Sequence, residues 1–512
     1  MNDKFEKIRN HKFFIFDYVL RIIGIIFVIV ISFLDDIISD IIKEGFGGID
    51  AKGGAMAALI ALTVIVITVA ISVFIGYLQW RYYYISADDE NLTIEKGIFL
   101  KKKQIVPFEK INTVDAHRNI LHQVAKVCRL KIDTGAVGAR SSSIPEVMIV
   151  LDDATAERLR NFILAHSSEA EEALAQAGVE RVNLGIETVE KKAKFSDFIL
   201  FGATRSLFAG FIVLVAIVFP MIGMFFEDDY ILDVVKGFLL DNFGVKDVFL
   251  FTLFVALVII AVILVCYVVS TFMFVITSAI RFYDFTAVRR GDNINIKYGL
   301  FTKKSYTLPV RNIHAVIMQQ NLLRQITGHC SVEVVSIGYG DEKNEVSLLF
   351  PIVKKKKLGA FLQDILPEYA TEDERYRAPA RSLALFILPQ LLFWTIIAAA
   401  VLVFTGSFAI VGGCYLIIAL ITVISGLLSY AHAGISYGKK LVCTSAGGFN
   451  RKLTRIRQDC VQSVGANNDI IMRMFKVSSY RIDYHAPVMK SIVVVPNLTN
   501  DHLEKIAQLI ED

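Results

Sequence analysis

The chain has 512 residues, 54% hydrophobic and 20% charged, with a formal net charge of +4. That is too apolar for an ordinary soluble protein and too charged for a pure membrane bundle, so membrane segments joined to soluble modules are expected. Nucleic acid is disfavoured as a partner, because residues 81–197 carry 17 basic and 18 acidic side chains with no basic face.

In chain order, residues 1–80 read as a tail and first membrane hairpin, with apolar windows at 13–34 and 56–79. Each is close to the ~20 residues that cross a bilayer core. Asp17 and Arg21 stand i,i+4 in the first window and can pair on one face. That window lacks a small-residue cleavage site and reads as an anchor. Residues 81–166 form module 1, with short Val- and Ile-rich strands at 83–87, 91–96, 98–107, 111–117, 127–134 and 147–151. A helix at 154–165 follows, capped by Asp152 or Asp153. Residues 167–197 are a linker. Residues 198–280 are a second hairpin (windows 198–226 and 248–280), with Arg205 about two turns into its first helix. Module 2 spans 281–370 and closes with a strand at 346–350 and a helix at 354–366. After a linker at 371–382 comes a third hairpin at 383–432, with windows 383–404 and 408–430. Module 3, 433–512, closes with a strand at 491–495 and a helix capped by Asn500 or Asp501.

Loops 35–55 and 227–247 are net acidic, while Lys4, Lys7, Arg9, Lys12, Arg81, Lys191, Arg281, Arg381, Lys439 and Lys440 flank the opposite helix ends. Lys and Arg near helix ends mark the cytoplasmic side, so both termini and all three modules are expected there. The six cysteines form no CxxC pair, which fits a reduced compartment.

The modules repeat. Residues 94–134 return at 296–336 without a gap: Gly97 falls on Gly299, Phe99 on Phe301, Pro107 on Pro309, Ile111 on Ile313, Asn119 on Asn321 and Cys128 on Cys330. A fainter copy lies at 444–484, where Gly447 matches Gly97 and Phe449 matches Phe99, but Arg457 replaces the strand proline. This order, with Gly97-Ile98-Phe99, Ile105-Val106-Pro107 and their counterparts from Gly299 to Ile313, resembles the bacterial pleckstrin-homology-like (PH-like) membrane proteins of the YdbS/YdbT type. The expected fold class is a mixed membrane protein: six transmembrane α-helices in three hairpins, each followed by a cytoplasmic PH-like β-sandwich or barrel closed by a C-terminal helix. The resemblance also implies a multi-pass protein of the bacterial cytoplasmic membrane, a smaller two-span PH-like relative or a homo-oligomer as partner, and a role in envelope upkeep or tolerance to membrane-active compounds.

Catalytic chemistry is hard to find. Gly434-Ile435-Ser436-Tyr437-Gly438 fits the nucleophile-elbow pattern but follows a membrane helix rather than a strand. His117 and His122 read as surface or turn residues, and Gly338-Tyr339-Gly340 as a hairpin turn. No catalytic residue, metal or cofactor is assigned. The polar feature that repeats is a basic turn: Lys101, Lys102 and Lys103 match Lys303 and Lys304, then Arg451 and Lys452. A second run, Lys354, Lys355, Lys356 and Lys357, opens the last helix of module 2. Near anionic lipid each such residue contributes about 1 kcal/mol; otherwise the turns are simply solvated. Asp17, Arg21 and Arg205 read as paired or snorkelling charges within spans. Gly412, Gly413, Gly426, Ser206 and Gly210 read as close-packing positions.

The expected function is a non-enzymatic membrane scaffold whose modules bind lipid headgroups or a membrane-protein partner. The alternative is a six-span transporter or exporter with regulatory modules, its helices broken at Pro220 and Pro389.

Overall fold

The computed structural model describes residues 5–20, 51–133 (apart from 99, 109, 110 and 112), 147–166, 188–204, 248–336, 348–370, 376–486 (apart from 406, 407 and 439) and 492–511. In chain order the elements are β1 (Phe5–Arg9), α1 (Ala51–Arg81), β2 (Tyr84–Ala87), β3 (Asn91–Lys96), β4 (Lys102–Pro107), β5 (Thr113–Arg118), α2 (Ile120–Val124), β6 (Val127–Asp133), β7 (Val147–Asp152) and α3 (Asp153–His166). Then come β8 (Thr188–Lys192), α4 (Phe195–Ala203), α5 (Val248–Arg281), β9 (Thr286–Arg290), β10 (Asn293–Tyr298), β11 (Lys303–Pro309), β12 (Ile313–Gln320), α6 (Leu322–Thr327), β13 (His329–Ser336), β14 (Leu348–Lys354) and α7 (Leu358–Ile365). The last part holds β15 (Tyr376–Arg377), α8 (Leu383–Thr405), α9 (Phe408–His432), β16 (Gly434–Tyr437), β17 (Leu441–Ala446), β18 (Arg451–Arg457), β19 (Val461–Asn467), α10 (Ile470–Met474), β20 (Val477–Tyr484), β21 (Ile492–Thr499) and α11 (His502–Glu511).

The chain divides into two units: Met1–Gly185 with Thr302–Thr307, and Ile186–Phe301 with Leu308–Asp512. In the first, β1-β2-β3-β4 form one antiparallel sheet and β5-β6-β7 a meander. Alternating strand residues turn Leu92, Ile94, Val114, Leu130, Ile132 and Ile149 into one core. Leu159 and Ile163, one helical turn apart, bring α3 onto it; burying each contributes about 1.5–3 kcal/mol. Asp152 caps α3, its Oδ2 accepting from the Thr155 amide at 3.0 Å. The basic tail holds a strand that sequence reading passed over: β1 adds to β2 because Phe5 and Ile8 reach the core, Phe5 meeting Phe162 edge-on at 5.5 Å.

In the second unit β8-β9-β10 pair antiparallel. A seven-stranded sheet runs β14-β13-β12-β18-β17-β16-β15, and β19-β20-β21 form a three-stranded sheet. A core of Ile435, Val442, Ile456, Tyr480, Ile482 and Leu498 also takes in Ala315 and Ile317 of module 2. The repeat glycines are fixed by backbone. Gly97 has φ +126° and Gly447 φ +104°, and a Cβ there would lie 1.9 Å from the Leu100 carbonyl oxygen and 2.0 Å from that of Asn450. Gly447→Ala should therefore cost about 1–3 kcal/mol, read as a lower melting temperature.

His502 opens α11 buried between the Tyr437 hydroxyl, 3.2 Å from Nδ1, and the Thr499 hydroxyl, 3.0 Å from Nε2. Burial, helped by the Lys505 cation, pushes its pKa below the ordinary 6.5. With the folded value depressed, the neutral ring's contribution is complete above pH 6.5 and declines as pH falls below it. Melting temperature should therefore drop on acidification from pH 7.5 to 5.5, and His502→Asn should flatten that dependence.

Six spans are not what the structure shows. Among the described residues two helical stretches are long and apolar enough to cross a membrane, Ala380–Val403 and Val411–His432. They fall on α8 and α9, the two helices of the third predicted hairpin, and α8 runs unbroken through Pro389. Within α1 and α5 the apolar stretches among the described residues are Val66–Arg81 and Tyr267–Arg281, each short of the ~20 residues a span requires. Windows 13–34 and 198–226 are described only as a helical segment at 13–20 and as α4. Both windows run on into residues outside the described ones, so among the described residues the six-span expectation is corrected to two spans. Gly426 does permit close packing: a Cβ there would lie 2.6 Å from Ile387 Cγ1 on α8. Gly412 and Gly413 meet nothing within 4 Å. Arg21, Arg205, Ser206, Gly210, Pro220 and the Gly338–Gly340 turn lie outside the described residues.

Candidate functional site

The repeated basic turns occupy equivalent places but do not share one surroundings. Lys101, Lys102 and Lys103 are exposed, and Lys103 Nζ lies 3.8 Å from Glu95. Lys303 and Lys304 begin β11 opposite Arg118 and His117 of β5. Arg451 and Lys452 begin β18 opposite Gln320 and Gln319 of β12. Arg451 is half-buried, and burial lowers its pKa; its Nε donates to Ser445 Oγ at 3.4 Å. Lys354 ends β14, and Lys355–Lys357 form a 3₁₀ turn before α7, so the helix predicted from 354 begins at Leu358. All four of these lysines are exposed.

Module 3 shows where its basic turn sits. Gly447 O lies 2.9 Å from His432 Nδ1 at the end of the apolar helix α9. A Cβ on Gly448 would be 2.7 Å from the Ser425 carbonyl oxygen and Ser429 Oγ. The turn leading into Arg451 and Lys452 therefore rests on the end of a helix long and apolar enough to cross a membrane. In module 2, the Leu300 amide likewise donates to Ile280 O at 3.1 Å and that of Gly299 to Tyr283 O at 2.8 Å, at the end of α5.

The modules also share a feature that sequence reading missed. Short helices α2, α6 and α10 occupy the same place in the three modules and leave the same position bare: Val124 is 79% exposed, Ile326 74% and Met474 78%. Ile120, Leu121, Ile470 and Ile471 are exposed with them. Exposed large apolar side chains repeated at one structural position mark a contact surface. The signal was present in Asn119-Ile120-Leu121 and Asn321-Leu322-Leu323, each followed by an apolar residue one helical turn on.

Each short helix, or the turn that follows it, is tied to a segment earlier in the chain. In module 1, His122 Nε2 lies 3.1 Å from Asp17 Oδ2, and Arg129 also bonds Asp17. Asp17 is 8% exposed and His122 2%. Asp17 is thus committed to module 1, and His122 is a buried anchor rather than a surface residue. In module 2, Arg324 donates to Thr204 Oγ1 at 2.9 Å, Ser331 Oγ at 2.8 Å and Phe201 O at 3.5 Å, with its guanidinium 4.6 Å from the Phe201 ring centre. In module 3, Arg381, just before α8, donates to Lys476 O at 3.1 Å.

The elbow-like Ser436 sits within strand β16, buried, and a second strand follows instead of a helix. An elbow needs the strand-to-helix turn to expose its hydroxyl. Burial raises the thiol pKa of Cys128, and pushes those of Cys330 and Cys460 up to about 11, so these three stay protonated near neutrality. A cleft of about 770 Å³ in the first unit is bordered by Arg9, His11, Lys12, Arg158 and Trp80.

Known proteins give this surface its context. The chain is 26% identical over 381 residues to the UPF0699 transmembrane protein YdbT of Bacillus subtilis (strain 168), covering 72% of this chain and 73% of that protein. No solved structure matches. The bacterial PH domain family matches three times, at residues 25–167, 237–368 and 383–512. The three repeated β-modules are thus bacterial PH domains, and the chain belongs to the bacterial PH domain family as a membrane protein.

Proposed function

We propose that the protein is a non-enzymatic scaffold of the cytoplasmic membrane whose PH-like modules lie against the inner leaflet and hold anionic lipid headgroups or a membrane-protein partner there. The observation that carries this reading is the bare apolar position repeated in α2, α6 and α10, in modules that also repeat a basic turn. An apolar tip with flanking cations is the chemistry of an interfacial membrane contact. The α8–α9 hairpin crosses twice and returns module 3 to the side of module 2. The basic residues near helix ends support a cytoplasmic position for that side and for both termini. Envelope upkeep or tolerance to membrane-active compounds is the cellular role that suits such a scaffold. The transport alternative is weaker, because Asp17 is taken up by His122 and Arg129.

Met474→Cys, carrying a polarity-sensitive fluorophore in vesicles containing anionic lipid, should emit as in an apolar medium and be quenched by brominated lipid, read against the equally labelled parent. A water-like spectrum would sink the membrane contact. Reversing Lys102, Lys304 and Lys452 to Glu together should lower co-purified anionic lipid at least about tenfold by mass spectrometry, each lysine contributing about 1 kcal/mol. Unchanged lipid would remove the basic turns from the mechanism.

A further inference from the structure

The modules are joined by strand exchange, and the junction repeats in register. β11 of module 2 lies on β5 of module 1, with Lys303 opposite Arg118, Lys304 opposite His117 and Ser305 opposite Ala116. β18 of module 3 lies on β12 of module 2, with Arg451 opposite Gln320, Lys452 opposite Gln319 and Leu453 opposite Met318. The offsets are 202 residues between modules 1 and 2 and 148 between modules 2 and 3, so these are the same three pairs twice. At each junction the later module therefore lends a strand to the sheet of the earlier one. Two ends of this series are open. Among the described residues β4 is the last strand of β1-β2-β3-β4, and β19 the last of β19-β20-β21. β4 is the counterpart of the two donated strands β11 and β18, and β19 of the two accepting strands β5 and β12.

Their exposure agrees. β12 is buried at six of its eight positions, whereas its counterpart β19 is buried only at Val461. Lys102, Lys103 and Ile105 of β4 are exposed. A Cβ on Gly465 of β19 would meet nothing within 4 Å. An open edge presents unpaired backbone donors and acceptors ready for another strand.

We infer that β19 of one copy accepts β4 of a second copy, head to tail, in the register already used twice within the chain. The occupant is a second copy because this chain carries the complementary strand, in the complementary repeat, and tolerates the pairing at two internal junctions. Carrying the register forward sets Lys102 opposite Asn467, Lys103 opposite Ala466, Gln104 opposite Gly465, Ile105 opposite Val464 and Val106 opposite Ser463. Such a head-to-tail contact closes into a ring or extends as a filament. This inference rests on strand pairing and stands apart from lipid contact.

The test is disulfide trapping of the full-length protein in native membranes. Directly opposed residues of antiparallel strands have Cα atoms about 4.5–5.5 Å apart, within reach of a disulfide. Two copies bearing different tags would be co-expressed, one carrying Gln104→Cys and the other Gly465→Cys, with Ile105→Cys and Val464→Cys as the alternate pair. A mixed dimer from at least one pair, absent when either variant is expressed alone, is the expected result, and the double variant Q104C/G465C should give a ladder of multimers. Three outcomes would overturn the inference. A dimer from Gln104→Cys alone would mean a symmetric β4 contact. A Gly465→Cys adduct with a different protein would assign the edge to another chain. No adduct from either pair, in variants that melt like the parent, would leave the edges unpaired. Lipid retention should be unchanged in these variants, which separates this failure from failure of the scaffold reading.

Discussion

Replacing Asp17 with alanine should loosen residues 5–20 from module 1 and lower the stability of the first unit by about 3 kcal/mol. The carboxylate is nearly buried and holds both the His122 ring and the Arg129 guanidinium. Removing one partner of a buried ionic group costs about 3–5 kcal/mol, because the others keep their desolvation without its compensation. Arg129 is partly exposed and can rehydrate, so the lower end applies. For a unit of this size each kcal/mol shifts the melting temperature by about 2–4 °C, giving a drop of roughly 6–12 °C. Asp17→Asn, which still accepts a hydrogen bond, should recover part of the loss. A melting temperature unchanged in Asp17→Ala would show that the contact is dispensable.

Arg324→Ala should be the most damaging single change in module 2. The buried guanidinium donates to Thr204, Ser331 and Phe201 O and lies over the Phe201 ring. Its loss removes hydrogen bonds worth about 1.5–3 kcal/mol for a charged donor, plus a cation–π contact of about 0.5–2 kcal/mol. The expected total is about 3 kcal/mol. Arg324→Lys should not restore it, since a point charge cannot serve Thr204 and Ser331 as a planar fork does. A double-mutant cycle with Thr204→Ala should give a coupling of about 1 kcal/mol, within the range for groups in one network. Independent, additive losses would mean that α6 is not fastened to α4 through this pair.

His122 and Arg324 occupy the same position of α2 and α6, yet the sequence treats them as unlike residues. Each earns its place only through a partner far away in the chain, Asp17 in one case and Thr204 in the other. That is why the basic turns were legible in the sequence and these anchors were not. Gly97, Gly299 and Gly447 were legible because a left-handed turn admits little else. The module strands were legible from Ile and Val patterning, and α8 and α9 from sustained apolarity. Which edge each strand would join was not, because strand pairing across modules leaves no local period. Arg457 shows the limit well. Read as a departure from the proline pattern, it donates to Arg311 O of module 2 at 3.0 Å and pairs with Asp459, so the substitution secures a junction. The apolar tips at Val124, Ile326 and Met474 lie in helices of five or six residues, too short for amphipathic periodicity to stand out.

Strand exchange also sets a timetable for synthesis. β5 ends at Arg118, but the strand that covers it begins at Lys303. At about 5–20 residues per second, the ribosome needs roughly 10–40 s to supply that cover. β12 then waits for Arg451 in turn. During each interval a hydrophobic sheet edge stands bare on a nascent chain, where neighbouring polysomes offer the same strands in high local concentration. Polysome spacing and the speed of translation through the stretch between Arg118 and Lys303 thus become determinants of yield. A synonymous recoding that slows that stretch should increase misassembly without altering a single residue of the finished protein.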